Sequence, residues 1–239
     1  MRTVAMSTPD KNALSTTLMR WLIAELRAAA GEPILLTGTG NVFSAGLHLK
    51  EVTSLDTAGM ERYLATLEEL VEALFNYEGP TIAWVNGHAI AGGCVLACCA
   101  DRRVMANDGG RIGVTEILVG VPFPALAFEI VRFAVPLRYL PEFTLSGATY
   151  VPKDALQRGW VDEVIEPGEL MSRAMAAAQS LAALSPPAFA QTKMQIRAPV
   201  TERMAQSGEA TDKSVAEIWT APATVSYIRD YVARTLKKA

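Results

Sequence analysis

The chain has 239 residues, enough for one substantial core or a core with a small appendage. Half the residues are hydrophobic and a fifth are charged, which fits a soluble globular protein. The net charge is −3 and no basic block stands out, which argues against nucleic acid as a main partner; a few local lysines or arginines would still suffice for an anionic ligand.

Arg2 to Met6 reads as a short strand, and Asp10-Lys-Asn12 as a turn. Ser15 is placed to cap a helix whose Leu18, Leu22 and Leu26 recur at helical spacing, and Gly31 ends it. Pro33 to Thr37 is a buried strand. Thr57 to Tyr77 is the clearest helix, with Met60, Leu64, Leu67, Val71 and Leu74 in one apolar stripe and Asp56 as its cap. Pro80 resets the chain into a strand over Thr81 to Val85. Gly92 opens a second buried helix, and Arg102 to Met105 is another strand. Strand signals become sparse after Ser185-Pro-Pro187, and three helices are expected near Ala188–Ile196, Thr201–Trp219 and Ala223–Lys237. The alternation is that of an α/β protein, either a doubly wound sheet or a spiral of ββα units. No internal repeat or low-complexity tract is present.

Cys94, Cys98 and Cys99 fall in one apolar stretch with no histidine cluster at zinc-ligand spacing, so they read as buried free thiols and no metal site is expected. Thr81 to Ala100 is apolar enough to imitate a membrane span, but Asn86-Gly87 is a turn signal and Gly92-Gly93 weakens a continuous helix. A buried strand, a turn and a buried helix explain the same composition. No apolar run of signal-peptide type opens the chain, and a cytoplasmic location is expected, with no membrane partner. Gly38-Thr39-Gly40 completes neither a dinucleotide fingerprint nor a phosphate loop. There is no Gly-x-Ser-x-Gly elbow, and neither His48 nor His88 has an evident triad partner.

Two segments, Asn41-Val-Phe-Ser-Ala-Gly-Leu-His-Leu-Lys50 and Asn86-Gly-His-Ala-Ile-Ala-Gly-Gly-Cys94, place small residues where a strand gives way to a helix. Such junctions leave backbone N–H groups free, and two of them facing one point can stabilise a developing oxyanion. By themselves, Gly46, Gly92 and Gly93 are equally those of tight turns.

The wording and order of these segments resemble the crotonase superfamily, the enoyl-CoA hydratases and isomerases. The resemblance extends over nearly the whole chain. It includes Asn12-Ala-Leu-Ser15, Pro80 to Cys94, Ala100 to Ala106 and Ala155 to Ile165. It implies an α/β, crotonase-like spiral of ββα units over residues 1–185, carrying the active site. A C-terminal α-helical region over 186–239 is implied to pack across subunits, giving a homotrimer or a dimer of trimers. Compared with the family the chain begins late, and its first strand is expected to be short or missing.

The resemblance also implies an acyl-CoA thioester substrate, with coenzyme A as part of the substrate and no separate cofactor. The Leu47 and Gly92 N–H groups would hold the enolate oxygen. Ala45, Gly46, Leu47, His48, Lys50, Gly92 and Gly93 would form the substrate and CoA site, with the adenine near Ala45 and Leu47. The family's hydratases use two glutamates. One follows the second loop, where this chain has Gly92-Gly93-Cys94-Val95, and valine moves no proton. The other corresponds to Glu116 in Gly113-Val-Thr-Glu-Ile-Leu-Val-Gly120. Hydration needs a water held by two carboxylates; moving a double bond needs one carboxylate that reaches C2 and C4. The single-glutamate pattern resembles the Δ3-Δ2-enoyl-CoA isomerases, with Glu116 as acid/base. The rivals are hydration, thioester hydrolysis, or a silent acyl-CoA binding protein.

His48 stands where the family usually has aspartate, and a structural role is expected for it and for His88. Lys50 is either a phosphate contact or a solvated helix residue. Phe123, Leu126 and Phe128 are candidates for the acyl pocket or for plain core, and Glu129 and Arg132 for an ion pair with each other.

Overall fold

The structure is a computed structural model and describes residues 1–235. Eight strands form two parallel sheets. The larger holds β1 (Arg2–Met6), β2 (Ile34–Gly38), β4 (Thr81–Val85), β6 (Arg102–Ala106) and β8 (Glu163–Ile165), in that spatial order. The smaller holds β3 (Val42–Ser44), β5 (His88–Ile90) and β7 (Ile112–Gly113). Strand pairs β2–β3, β4–β5 and β6–β7 each send their first member to the large sheet and their second to the small one. This is the spiral of ββα units, not a doubly wound sheet. β1 has five residues, pairs with β2 from Arg2–Ile34 to Met6–Gly38 and forms one edge of the large sheet.

The helices are α1 (Thr16–Ala29), α2 (Leu49–Val52), α3 (Thr57–Phe75), α4 (Gly92–Cys98), α5 (Glu116–Val119), α6 (Ala125–Ala134), α7 (Leu140–Ser146), α8 (Pro152–Arg158), α9 (Leu170–Ala182), α10 (Pro186–Thr220) and α11 (Pro222–Thr235). Ser15 and Asp56 cap α1 and α3 as expected, their side chains accepting from the Leu18 and Gly59 N–H groups. The stripe of α3 is rotated slightly from the expected one: Tyr63 and Leu70 are buried, whereas Leu64 is only half-buried. The main core lies between the two sheets, α1, α3, α4 and α6. A smaller one sits where α9 lays Leu170, Ala174 and Ala178 on Leu35, Ile82 and Val104. All three cysteines are buried free thiols. No described helix is long and apolar enough to cross a membrane.

The C-terminal region corrects the expectation of three helices. Pro186 and Pro187 occupy the first positions of one 35-residue helix, α10, which runs through Pro199. An interior proline costs about 3 kcal/mol. Contacts on both sides offset it. Before Pro199, Lys193 and Arg197 both reach the Asp101 carboxylate at 2.8 Å, and Arg197 lies 4.4 Å over the Phe75 ring. After it, Val200, Val215 and Trp219 are buried, and Arg203 pairs with Glu129. The helix expected over Ala223–Lys237 is α11, and its last two expected residues lie outside the described residues. Both helices rest on their own chain: α10 on α3 and α6, α11 on α2, α5 and α10.

Candidate functional site

β3, β5 and β7 are parallel neighbours with β5 in the middle. Their C-terminal ends therefore leave the small sheet side by side, at strand spacings of about 5 Å. β3 runs into the Ala45–His48 loop and α2, β5 into Ala91 and α4, and β7 into Val114, Thr115 and α5. Topology alone thus gathers the two glycine-bearing junctions and Glu116 at one sheet edge.

The first two junctions touch. Gly46 has φ +85, and a Cβ there would lie 2.7 Å from the Ile90 carbonyl oxygen and 3.2 Å from Gly92 N, so only glycine allows this approach. Gly93 brings α4 equally close to β3: a Cβ would fall 2.4 Å from the Ser44 carbonyl oxygen. Ala91 precedes α4 at φ +51, a conformation alanine rarely adopts, and this turns the Ala91–Gly92 peptide. Neither the Leu47 nor the Gly92 N–H has a hydrogen-bond acceptor among the described residues. Gly92 N–H also sits at the favourable end of the α4 dipole.

A cleft of about 650 Å³ opens in front of these junctions. Ala45, Leu47, His48 and Lys50 line it from the first junction, Ile90 and Ala91 from the second, and Thr115 and Glu116 from the third. Gly46, Gly92 and Gly93 are buried behind this surface and are not part of its lining; the Ala91–Gly92 peptide borders the cleft through Ala91. Trp219 of α10 and Tyr231 and Val232 of α11 close the opposite side.

Glu116 is not a solvated strand-end residue. It begins α5 and is 7% exposed, and its Oε2 has no hydrogen-bond partner among the described residues. Burial pushes its carboxyl from the ordinary 4.5 up to about 7, against the opposing pull of backbone hydrogen bonds at Glu116 and Thr115. The other carboxylate lining the cleft is Asp10, at the exposed mouth, where it meets His48 Nε2 at 3.2 Å and Lys50 Nζ at 3.2 Å. The His48 hydrogen bond, followed by that of Lys50, holds the Asp10 carboxyl below its usual value. Val95 is fully buried in α4 and does not line the cleft.

His48 caps α2. Its Nδ1 accepts from the Glu51 N–H at 3.1 Å, which places the ring proton on Nε2 toward Asp10. Its two ring nitrogens are thus occupied within the loop. His88 lies in β5 and does not line the cleft. Phe123, Leu126 and Phe128 are not in the cleft either. Leu126 belongs to the core, while Phe123 and Phe128 line a neighbouring cavity. Glu129 does pair with Arg132, at 3.4 Å, and also with Arg203.

Sequence reasoning missed Tyr63. Its hydroxyl donates to the Leu14 carbonyl and accepts from the His48 N–H at 3.2 Å, while the Leu14 N–H donates to the Gly46 carbonyl at 2.7 Å. Residues on either side of Leu47 are therefore tied to Leu14, which forms an isolated β-bridge with Leu47. The available signal was position: Tyr63 shares a helix face with Met60 and Leu67. Val121 was also missed, and so was Trp219, which nothing local in the sequence links to Glu116. Among the described residues, no group of three or more His, Cys, Asp or Glu side chains is placed to hold a metal ion.

Known proteins resemble this chain over most of its length. Residues 2–225 match the family model described as enoyl-CoA hydratase/isomerase. A 2,3-dehydroadipyl-CoA hydratase of Escherichia coli (strain K12) is 31% identical over 191 residues, covering 78% of this chain and 74% of that protein. The mitochondrial enoyl-CoA delta isomerase 1 of Mus musculus is 30% identical over 178 residues, covering 74% of this chain and 62% of that protein. The crystal structure of human mitochondrial delta3-delta2-enoyl-CoA isomerase shares the fold with a TM-score of 0.92 at 24% identity, covering 99% of this chain and 95% of that one.

Proposed function

The chain belongs to the enoyl-CoA hydratase/isomerase family, and we propose that it isomerises 3-enoyl-CoA thioesters to trans-2-enoyl-CoA. The observation that carries this reading is the single carboxylate in the inner cleft. Glu116 is buried, half-unpartnered and raised to about 7, a value suited to exchanging a proton near neutral pH. The second position at which the family's hydratases carry a glutamate is Val95, which cannot hold or activate a water.

In the proposed reaction the thioester oxygen lies against the Leu47 and Gly92 N–H groups. Glu116 takes the C2 proton, and the C2–H electrons spread through the C3–C4 double bond and the thioester carbonyl as a dienolate. The two N–H donors stabilise the oxygen that gains this charge. Glu116 then returns the proton to C4, the double bond settles between C2 and C3, and no atom is gained or lost. Ala45, His48 and Lys50 border the CoA arm at the mouth. The reaction requires no metal or redox cofactor, and the family resemblance supports a homotrimer or a dimer of trimers.

A hydratase reading is favoured by the name of the Escherichia coli relative. Glu116→Gln separates both catalytic readings from a silent binder. The variant is expected to lose turnover while keeping its affinity for a saturated acyl-CoA. Turnover equal to wild type would remove Glu116 from the mechanism.

A further inference from the structure

A second, mostly apolar cavity of about 460 Å³ lies beside the cleft. Phe123, Phe128, Met204 and Val215 form its apolar lining, and the Glu129–Arg203 ion pair marks its polar edge. The partition between the two spaces is thin. Along the α5 turn, Glu116 and Val119 face the cleft, Ile117 faces the second cavity, and Val121 lines both. Along α10, Trp219 faces the cleft and Val215, one turn earlier, faces the second cavity.

Both partition residues are held in place. Trp219 is 1% exposed, and its Nε1 donates to the Pro122 carbonyl at 3.0 Å. That bond ties α10 to the residue next to Val121. Val121 is 5% exposed, its N–H donates to the Glu116 carbonyl, and a β-branched side chain has little rotamer freedom with which to step aside.

We infer that Val121 and Trp219 form the end wall of the acyl site, so that the protein selects short-chain acyl-CoA esters and the second cavity is a tail pocket shut off from it. This rests on the acyl-CoA reading above and adds the substrate class. A chain leaving the Glu116 end of the cleft meets Val119, Val121 and Trp219, and its further methylenes find no apolar space.

The test is a calorimetric binding ladder of butyryl-, hexanoyl-, octanoyl- and decanoyl-CoA. These esters carry no double bond to move or hydrate, so the readout does not depend on which reaction the family member performs. A methylene that finds an apolar site tightens binding by about four-fold. Wild type is expected to show no gain beyond hexanoyl. Val121→Ala joins the two spaces, and decanoyl is then expected to bind about ten-fold or more tighter than hexanoyl, within the limit of about four-fold per methylene. Ser207 is exposed on the far side of the second cavity. Ser207→Phe in the Val121→Ala background should fill that cavity and cancel the gain, and in wild type it should leave the ladder unchanged. Val121→Leu gives the opposite test if the alanine variant does not fold, with hexanoyl losing affinity relative to butyryl.

A wild-type gain continuing through decanoyl, or a flat ladder in Val121→Ala, overturns the wall. If butyryl-CoA binds, only the wall falls with either result. If no ester binds, the acyl-CoA reading falls with it.

Discussion

Glu116 should make the protein less stable as the pH rises. Burial pushes its carboxyl from the ordinary 4.5 of an open chain up to about 7 in the fold. Between those values the folded state holds a proton that the unfolded state has released, so this group's contribution to stability falls as pH rises. The loss reaches about 3 kcal/mol once pH exceeds the folded value. Glu116→Gln removes the titration and keeps a polar side chain of similar size. The stability gap between the variant and wild type should therefore widen in the variant's favour by about 2 to 3 kcal/mol from about pH 5 to about pH 8. Urea unfolding of both proteins across that range measures it. A gap that stays constant with pH would show that the carboxyl is not raised by burial, and would remove the basis for treating it as a base poised near neutrality. In the same pH series, wild-type kcat/KM should rise with pH and level off above about 7, as the carboxylate form accumulates.

Three further outcomes follow from named contacts. Tyr63→Phe strands the His48 N–H and the Leu14 carbonyl, so it should cost about 2 kcal/mol of stability and lower kcat by about ten-fold, with a smaller change in KM; steady-state kinetics with unfolding curves would show it, and a change confined to KM would contradict the positioning role. Asp101→Ala leaves Lys193 and Arg197 buried without their carboxylate and should destabilise by about 3–5 kcal/mol in chemical denaturation. Pro199→Ala restores a backbone donor inside α10 and should raise stability by up to about 3 kcal/mol; a lower melting temperature would show that the proline is accommodated by packing the alanine loses.

The long elements were readable because each leaves a local mark, whereas Glu116 stood out only through the family resemblance. The α3 stripe, the Ser15 and Asp56 caps and strands β1, β2, β4 and β6 of the large sheet follow from spacing and capping chemistry, while the three-residue β8 was not read as a strand. The small sheet was not readable as a sheet: β3, β5 and β7 have three, three and two residues, too few for a period to register. Yet it is this sheet that sets Leu47, Ala91 and Glu116 side by side. Its glycines were visible as motifs, and the family resemblance supplied their meaning. The two helices expected over Ala188–Ile196 and Thr201–Trp219 are one, α10, because the Asp101 anchor that holds it across Pro199 lies 92 and 96 residues away from Lys193 and Arg197 and leaves no local mark. Tyr63 and Trp219 act through partners on distant segments, and the acyl candidates Phe123 and Phe128 were one cavity away from Glu116.

The central claim is the one-carboxylate isomerisation, and the most direct measurement is product analysis with purified protein given a 3-enoyl-CoA and, separately, a trans-2-enoyl-CoA. The account predicts that the first is converted to the trans-2 isomer without change in mass and that the second gains no water. Hydration of the trans-2 ester to a 3-hydroxyacyl-CoA would contradict it, because Glu116 would then be acting with a second group, and Asp10, the other carboxylate lining the cleft, is engaged by His48 and Lys50 at the mouth.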